Sequence, residues 1–242
     1  MTISVRKLAA SQTEAFDVEY ISNEMFELVA KPIVERYSND RPFNLLDVGG
    51  GNGIYADKVL EHFPAANVTV IEPEQTLLDK NRPHPRKSLL ACTFQQASQQ
   101  HQQDIIQFNW VLHHFVSNSY ELTLQAQRAA LTEAYQNLKP GGMVFIFENF
   151  YEGLWVSDMP GQVIYRLTAS DSLKSVVARM GANTAGVGVC FHSESVWKSM
   201  LREAGFQEMY VTHCYEFGNL SPVKKACLGL KSQQVGFLVA VK

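Results

Sequence analysis

Residues 43–53 read Phe-Asn-Leu-Leu-Asp-Val-Gly-Gly-Gly-Asn-Gly, a short apolar run broken by a cluster of glycines. From residue 54 to 63 apolar side chains return at helical spacing, and Pro64 closes the segment. The stretch therefore predicts a strand, a glycine turn and a helix. Asn67-Val-Thr-Val-Ile is rich in β-branched residues and is followed by Glu72-Pro73, which predicts a second strand ending on an acid and a turn. A βαβ unit of about 30 residues is then complete. In open α/β sheets, ligands settle where the carboxyl ends of strands meet the loops, and glycine lets the backbone approach them closely. A carboxylate ending the second strand can accept both hydroxyls of a ribose. Gly51, Gly53 and Ala56 also satisfy a GxGxxA pattern with Glu72 about 20 residues on, so this unit alone leaves a nicotinamide cofactor open.

Working outward, strands are predicted at 88–94 and 104–112, a helix at 122–138, and a strand at 143–148 after Leu-Lys-Pro-Gly-Gly. Such alternation predicts a mostly parallel sheet covered on both faces. Upstream, Phe16, Tyr20, Ile21, Met25, Phe26, Val29, Ile33 and Val34 form a stripe at helical spacing, one or two helices ahead of the first strand. Downstream, 193–204 reads as a helix capped by Ser193 and stopped by Gly205, followed by strands near 208–217 and 235–241 that pair antiparallel. Between 149 and 191 lies an irregular stretch of about forty residues, longer than a simple connection needs and of a kind that covers a site. The glutamine run at 95–103 is the one low-complexity patch, and its later part reads as a solvated connection.

A chain of 242 residues suits one α/β domain with a full core. A net charge of -3 gives no reason to expect nucleic acid as a partner. The most basic run, Lys-Asn-Arg-Pro-His-Pro-Arg-Lys at 80–87, reads as a solvated loop rather than a phosphate patch. Cys92, Cys190, Cys214 and Cys227 are far apart and lack zinc-ligand spacing, which predicts reduced thiols and no metal site. The longest apolar runs fall far short of the roughly 20 residues of a membrane span, and residues 1–17 lack a signal-peptide core. A cytoplasmic protein is the expectation.

Four segments together resemble the class I S-adenosylmethionine-dependent methyltransferases: LLDVGGGNG (45–53), VTVIEPE (68–74), DIIQFNWVLHHF (104–115) and LKPGGMVFIFE (138–148). Their order and spacing match over 44–148, and REAGF (202–206) fits the reversed hairpin that ends this family's sheet. A nicotinamide enzyme has no reason to carry LKPGG or an antiparallel end. The resemblance implies an α/β fold: a Rossmann-like, seven-stranded, mostly parallel sheet with an antiparallel C-terminal hairpin and helices on both faces. It implies a single domain with a helical cap (1–42), a cofactor-binding core (43–148), a lid-like insertion (149–191) and a terminal helix and hairpin (192–242). The implied activity is in-line transfer of a methyl group from S-adenosyl-L-methionine, which leaves as S-adenosyl-L-homocysteine, to an O, N or C atom of a small molecule. No nucleic-acid or membrane partner is implied, and monomer or homodimer both fit. A non-catalytic protein that binds the cofactor in a regulatory or scaffold role is the alternative from another class.

Carried over by position, the resemblance implies that Asp47, Gly49, Gly50, Gly51 and Gly53 surround the methionine part, Glu72 holds the ribose, Pro73 packs near adenine, and the backbone of Asn109 faces the amino group. Where relatives commonly place an acid for the adenine amine, this chain has Gln96-Ala97, with Ser98 as a second candidate. Methyl transfer needs positioning, and a base only if the acceptor must lose a proton. His113 and His114, just past the fourth strand, are candidates for that base, although the LHH triplet, widespread in the family, also fits pocket shaping. Glu148 can orient a substrate amine or hydroxyl, or serve as a cap or ion-pair partner; Asn149 is a weaker candidate. Tyr151, Trp155, Tyr165 and Arg166 in the insertion, with Tyr20 upstream, are candidates for the acceptor pocket, Arg166 for a substrate carboxylate. Aromatic residues in such places are as often packing residues. His192 and His213 read as structural.

Overall fold

A computed structural model describes residues 4–7, 21–37, 41–97, 102–218 and 220–242. Helix α1 (Asn23–Tyr37) leads into β1 (Phe43–Val48), α2 (Ile54–His62), β2 (Ala66–Ile71), the single turn α3 (Gln75–Leu78) and β3 (Lys87–Leu90). Next come β4 (Gln103–Asn109), α4 (Tyr120–Asn137), β5 (Leu138–Gly153), α5 (Met159–Thr168) and α6 (Lys174–Arg179). The chain continues with α7 (Glu194–Ala204), β6 (Glu208–Glu216), α8 (Pro222–Cys227) and β7 (Leu230–Val241). These strands form one sheet in the order β3-β2-β1-β4-β5-β7-β6. Strands β1 to β5 pair in parallel, whereas β7 lies antiparallel between β5 and β6. The order reverses between β1 and β4, which opens a crevice at their carboxyl ends.

Side chains alternate between sheet faces along each strand. Leu45, Ile105, Phe145 and Phe237 pack with Val29 and Ile33 of α1 and Val59 of α2. Their neighbours Leu46, Ile106, Val144 and Leu238 pack on the opposite face with Leu131 of α4 and Trp197 of α7. Both faces are covered, so the inner strands read as unbroken apolar runs. Helix α7 starts where the Ser193 hydroxyl accepts from the Val196 N–H and stops at Gly205, whose φ is 118°.

Several boundaries depart from the sequence reading. β4 ends at Asn109 rather than 112, because Trp110 turns to a left-handed φ of 51° and Leu112–His114 form a 3-10 turn. β3 ends at Leu90 rather than 94, because Thr93 and Gln96 cap one another around the 3-10 turn Phe94–Gln96. β5 runs on to Gly153 because β7 begins at Leu230, ahead of the expected 235, and gives it a partner throughout. The stretch after it, expected to be irregular, holds α5 and α6. Phe16, Tyr20, Ser98 and residues 99–101 of the glutamine run lie outside the described residues.

The basic run is a solvated loop in its first part, where Lys80, Arg82, Pro83 and Pro85 are exposed, but not at its end. The Arg86 guanidinium donates to the carbonyls of Leu60 (3.2 Å), Phe63 (3.1 Å) and Ala66 (2.6 Å), which ties the end of α2 to the start of β2. Lys87, its side chain buried, pairs with Asp57 at 2.6 Å.

Candidate active site

A cavity of about 540 Å3 lies at the carboxyl ends of β1, β2 and β4, within the usual range of roughly 300–1,000 Å3 for ligand pockets. Residues 47–52, 72–74, 93–95, 109–111 and 113–115 line it, and Asn149, Tyr215, Phe217 and Val235 add a wall from the C-terminal half. Tyr55, Ile71 and Leu77, with Val5, Arg6, Lys7 and Ile21, complete the lining. The short segment 4–7 is tied down by Arg6, whose side chain donates to Asn118 Oδ1 and to the carbonyls of Ala169 and Val187.

The glycine turn leaves backbone bare at this cavity. Gly51 has a φ of 52°, and nothing stands within 4 Å of where a Cβ would sit, so its main chain borders open space. Its N–H donates to Glu72 Oε2 at 3.2 Å, and the Glu74 N–H donates to Glu72 Oε1 at 2.8 Å. Burial pushes the Glu72 carboxyl above its ordinary pKa, while the Glu74 and Gly51 donors pull it back. Each oxygen keeps a lone pair for a further donor. Asp47 is fully buried behind the turn. The Tyr55 hydroxyl donates to Gln107 Oε1 (2.9 Å) and Gln107 Nε2 donates to Asn109 Oδ1 (2.6 Å). That chain fixes Asn109 with its amide nitrogen as the remaining donor.

Gly53 opens α2 just off the cavity, at φ 75°. Gln96 does not line the cavity: its Oε1 accepts from the Thr93 N–H (3.0 Å) and hydroxyl (3.1 Å), and Gln95 takes the lining position. Ala97 is buried in the core beside Phe94.

The two adjacent histidines differ in surroundings. His113 Nδ1 lies 2.8 Å from Glu148 Oε2 and 3.1 Å from Oε1. Glu148, fully buried behind the cavity wall, also accepts from the backbone N–H groups of His113 (3.2 Å) and Asn149 (3.3 Å). A carboxylate in that place holds the proton on Nδ1 and leaves the Nε2 lone pair for the cavity. Among the described residues, none hydrogen-bonds to Nε2. The ring stacks on Phe191 (4.6 Å), which stacks on Tyr151 (4.6 Å). His114 also lines the cavity, but burial and the neighbouring His113 hold its pKa well below the usual histidine value, so it is neutral.

None of Tyr151, Trp155, Tyr165 and Arg166 lines the cavity. Tyr151 backs Phe191, and the Tyr165 hydroxyl donates to the Ser117 carbonyl at 2.9 Å. Arg166 is exposed on α5, and Trp155, 79% exposed, sits at the tip between β5 and α5. Tyr20 lies outside the described residues. The aromatic lining instead comes from Trp110, Phe115, Tyr215 and Phe217. The Trp110 ring stacks on Phe147 (5.5 Å), and its Nε1–H donates to Asn149 Oδ1 at 3.0 Å. Register places Asn149 beside Val235, and Val235 beside Tyr215, across β5, β7 and β6. The sequence signal for the outer pair is the alternation of Tyr215 and Phe217 at the end of the strand expected over 208–217.

His192, fully buried, forms a second histidine–carboxylate pair. Its Nδ1 lies 2.9 Å from both oxygens of Asp158, and its Nε2 lies 2.8 Å from Gln127 Oε1. Gln127 Nε2 donates to the carbonyls of Leu112 and Cys190 (both 3.1 Å), so Oε1 must accept. His192 thus donates from both ring nitrogens. The Tyr120 hydroxyl adds a 2.7 Å bond to Asp158, and burial raises its pKa far above the usual value. His213 pairs with Glu194 on the surface. No group of three or more potential ligands among the described residues could hold a metal ion, and no described helix is long and apolar enough to cross a membrane.

Solved structures with the same fold include the N-methyltransferase NodS from Bradyrhizobium japonicum in complex with S-adenosylhomocysteine (TM-score 0.57, 14% identity, 96% of this chain and 97% of that one). Another is phosphoethanolamine N-methyltransferase 2 of Haemonchus contortus, in complex with phosphomonomethylethanolamine and S-adenosylhomocysteine (0.59, 15%, 96% and 57%). A third is an O-methyltransferase family protein from Burkholderia thailandensis (0.52, 15%, 95% and 59%). The chain spans little more than half the length of several such neighbours. Curated protein sequences give no significant match. The family model described as a methyltransferase domain matches residues 20–211, and the chain belongs to that family.

Proposed function

We propose that the protein transfers a methyl group from S-adenosylmethionine to a small-molecule acceptor, with His113 as general base. One observation carries this reading: the Gly51 backbone, the Glu72 carboxylate and His113 all border the same cavity. The residues fit the cofactor. Glu72 keeps acceptor capacity for two ribose hydroxyls, the open Gly51 backbone and buried Asp47 border space for the methionine part, and Pro73 with Gln95 borders space for adenine. Bound there, S-adenosylmethionine supplies a methyl group activated by a sulfonium. The protein contributes position, exclusion of water by the aromatic lining, and a proton acceptor at His113 Nε2, with Glu148 holding the tautomer. Four unbonded cysteines agree with a reducing, cytoplasmic setting.

Calorimetry with S-adenosylmethionine, S-adenosylhomocysteine and NAD tests the reading. Both sulfur compounds should bind; binding of NAD alone overturns it. Glu72→Ala should weaken S-adenosylhomocysteine at least ten-fold, since lost hydrogen bonds to a charged group are worth roughly 1.5–3 kcal/mol. An unchanged affinity would mean that Glu72 is not the ribose ligand.

A further inference from the structure

We infer that the acceptor is a hydroxyl on an aromatic ring, and that Asn149 selects it by donating a hydrogen bond to the acceptor oxygen. This inference rests on the methyltransferase reading and on His113 as base. It starts from an amide whose orientation is fixed. An indole N–H can only donate, so the 3.0 Å contact between Trp110 Nε1 and Asn149 identifies the amide atom it meets as oxygen. The Asn149 amide nitrogen, for which the described residues supply no acceptor, is then the polar atom this side chain offers to the cavity. His113 offers the opposite: with Nδ1–H committed to Glu148, Nε2 is an acceptor.

A donor and an acceptor on one cavity match a hydroxyl. Its proton points to His113 Nε2, one oxygen lone pair accepts from Asn149, and the second remains for the methyl carbon. A neutral amine has a single lone pair, which the Asn149 donor would occupy, and a carbon acceptor has none to offer it. As the new O–CH3 bond forms, the O–H proton passes to His113 Nε2, and the electron pair of the broken S–CH3 bond returns to sulfur. Imidazole can remove the proton from a phenol, whose pKa near 10 lies within reach, far more readily than from an aliphatic alcohol. The walls agree: Trp110, Phe115, Tyr215 and Phe217 present flat apolar surface. Because Asn149, Val235 and Tyr215 stand side by side across three strands, the amide sits at the edge of that surface on rigid sheet.

The test uses the protein saturated with S-adenosylhomocysteine, titrated with 4-nitrophenol, whose phenolate absorbs visible light, and with 4-nitroaniline as the matched amine. The phenol should bind at least ten-fold more tightly than the amine and, at a pH where the free phenol is protonated, show the phenolate band on binding. Asn149→Leu, close in volume but without the donor, should weaken the phenol at least ten-fold and leave S-adenosylhomocysteine affinity within two-fold. Equal or tighter binding of the amine overturns the hydroxyl assignment, and failure of both rings to bind overturns the aromatic one. Full phenol affinity in Asn149→Leu removes Asn149 as the selector. Loss of S-adenosylhomocysteine binding in the unaltered protein strikes the underlying reading instead, and the proposal falls with it.

Discussion

His113–Glu148 and His192–Asp158 are two copies of one pair, each with a ring Nδ1 2.8–2.9 Å from a carboxylate, the first of them carried on the turn Leu112–His114. They differ at the far nitrogen. His192 Nε2 is closed off because it donates to Gln127 Oε1, so that ring has no free lone pair to take a proton and serves as a strut. His113 lines the cavity and no described residue hydrogen-bonds its Nε2, so the same pairing leaves a nitrogen with a lone pair to take a proton. Gln127 connects the two, since it binds His192 with its oxygen and the Leu112 carbonyl with its nitrogen. What separates the two buried histidines is what their second nitrogen meets.

The contrast can be broken at either end. His113→Ala should slow methyl transfer by about 10²–10⁴-fold, the range for loss of a general base, with S-adenosylhomocysteine affinity nearly unchanged by calorimetry; an unchanged rate would remove the difference between the pairs. Asp158→Ala should instead act on the fold. Removing one partner of a buried ion pair typically costs about 3–5 kcal/mol, read as a lower urea midpoint, and a midpoint equal to that of the unaltered protein would show that His192 is not charged.

His114 gives the smallest effect. Its folded pKa is depressed by burial, so below about pH 6.5 the unfolded chain binds a proton that the folded chain does not. Stability contributed by the neutral ring is therefore present above that pH and lost as pH falls, by at most ~1.4 kcal/mol per unit until the folded value is reached. Urea midpoints between pH 7 and 5 should show this slope, and His114→Leu should flatten it.

The side of the cavity bordered by Gly51 and Glu72 was legible because its parts are close in sequence. Gly51 and Glu72 follow from one strand-turn-helix-strand unit, and neither needs a distant register to be found. The opposite wall was not legible for the opposite reason: Asn149, Val235 and Tyr215 meet only once β7 has been inserted between β5 and β6 in one particular register. Aromatic side chains in the insertion drew notice by composition, yet Tyr151 and Tyr165 are consumed by packing and a carbonyl contact. Gln96 looked suited to adenine, but a local competitor, the Thr93 cap, takes its oxygen. Arg86 looked solvated because sequence does not reveal that three carbonyls at a helix end converge on it.

The interior place of β7 has a consequence for how the molecule assembles. The strand that comes last in sequence sits between β5 and β6, so β6 has no seat in the sheet until β7 has docked. Until then the long β5 presents an open edge of unsatisfied amides and carbonyls, the kind of surface that recruits strands from other chains. Closing it requires contacts between segments about ninety residues apart, which makes this step slow relative to the local βαβ units. The cavity wall built from β5, β7 and β6 is thus the last part of the candidate site to exist, and a lesion in β7 away from the cavity would show itself as aggregation before it showed itself as altered ligand binding.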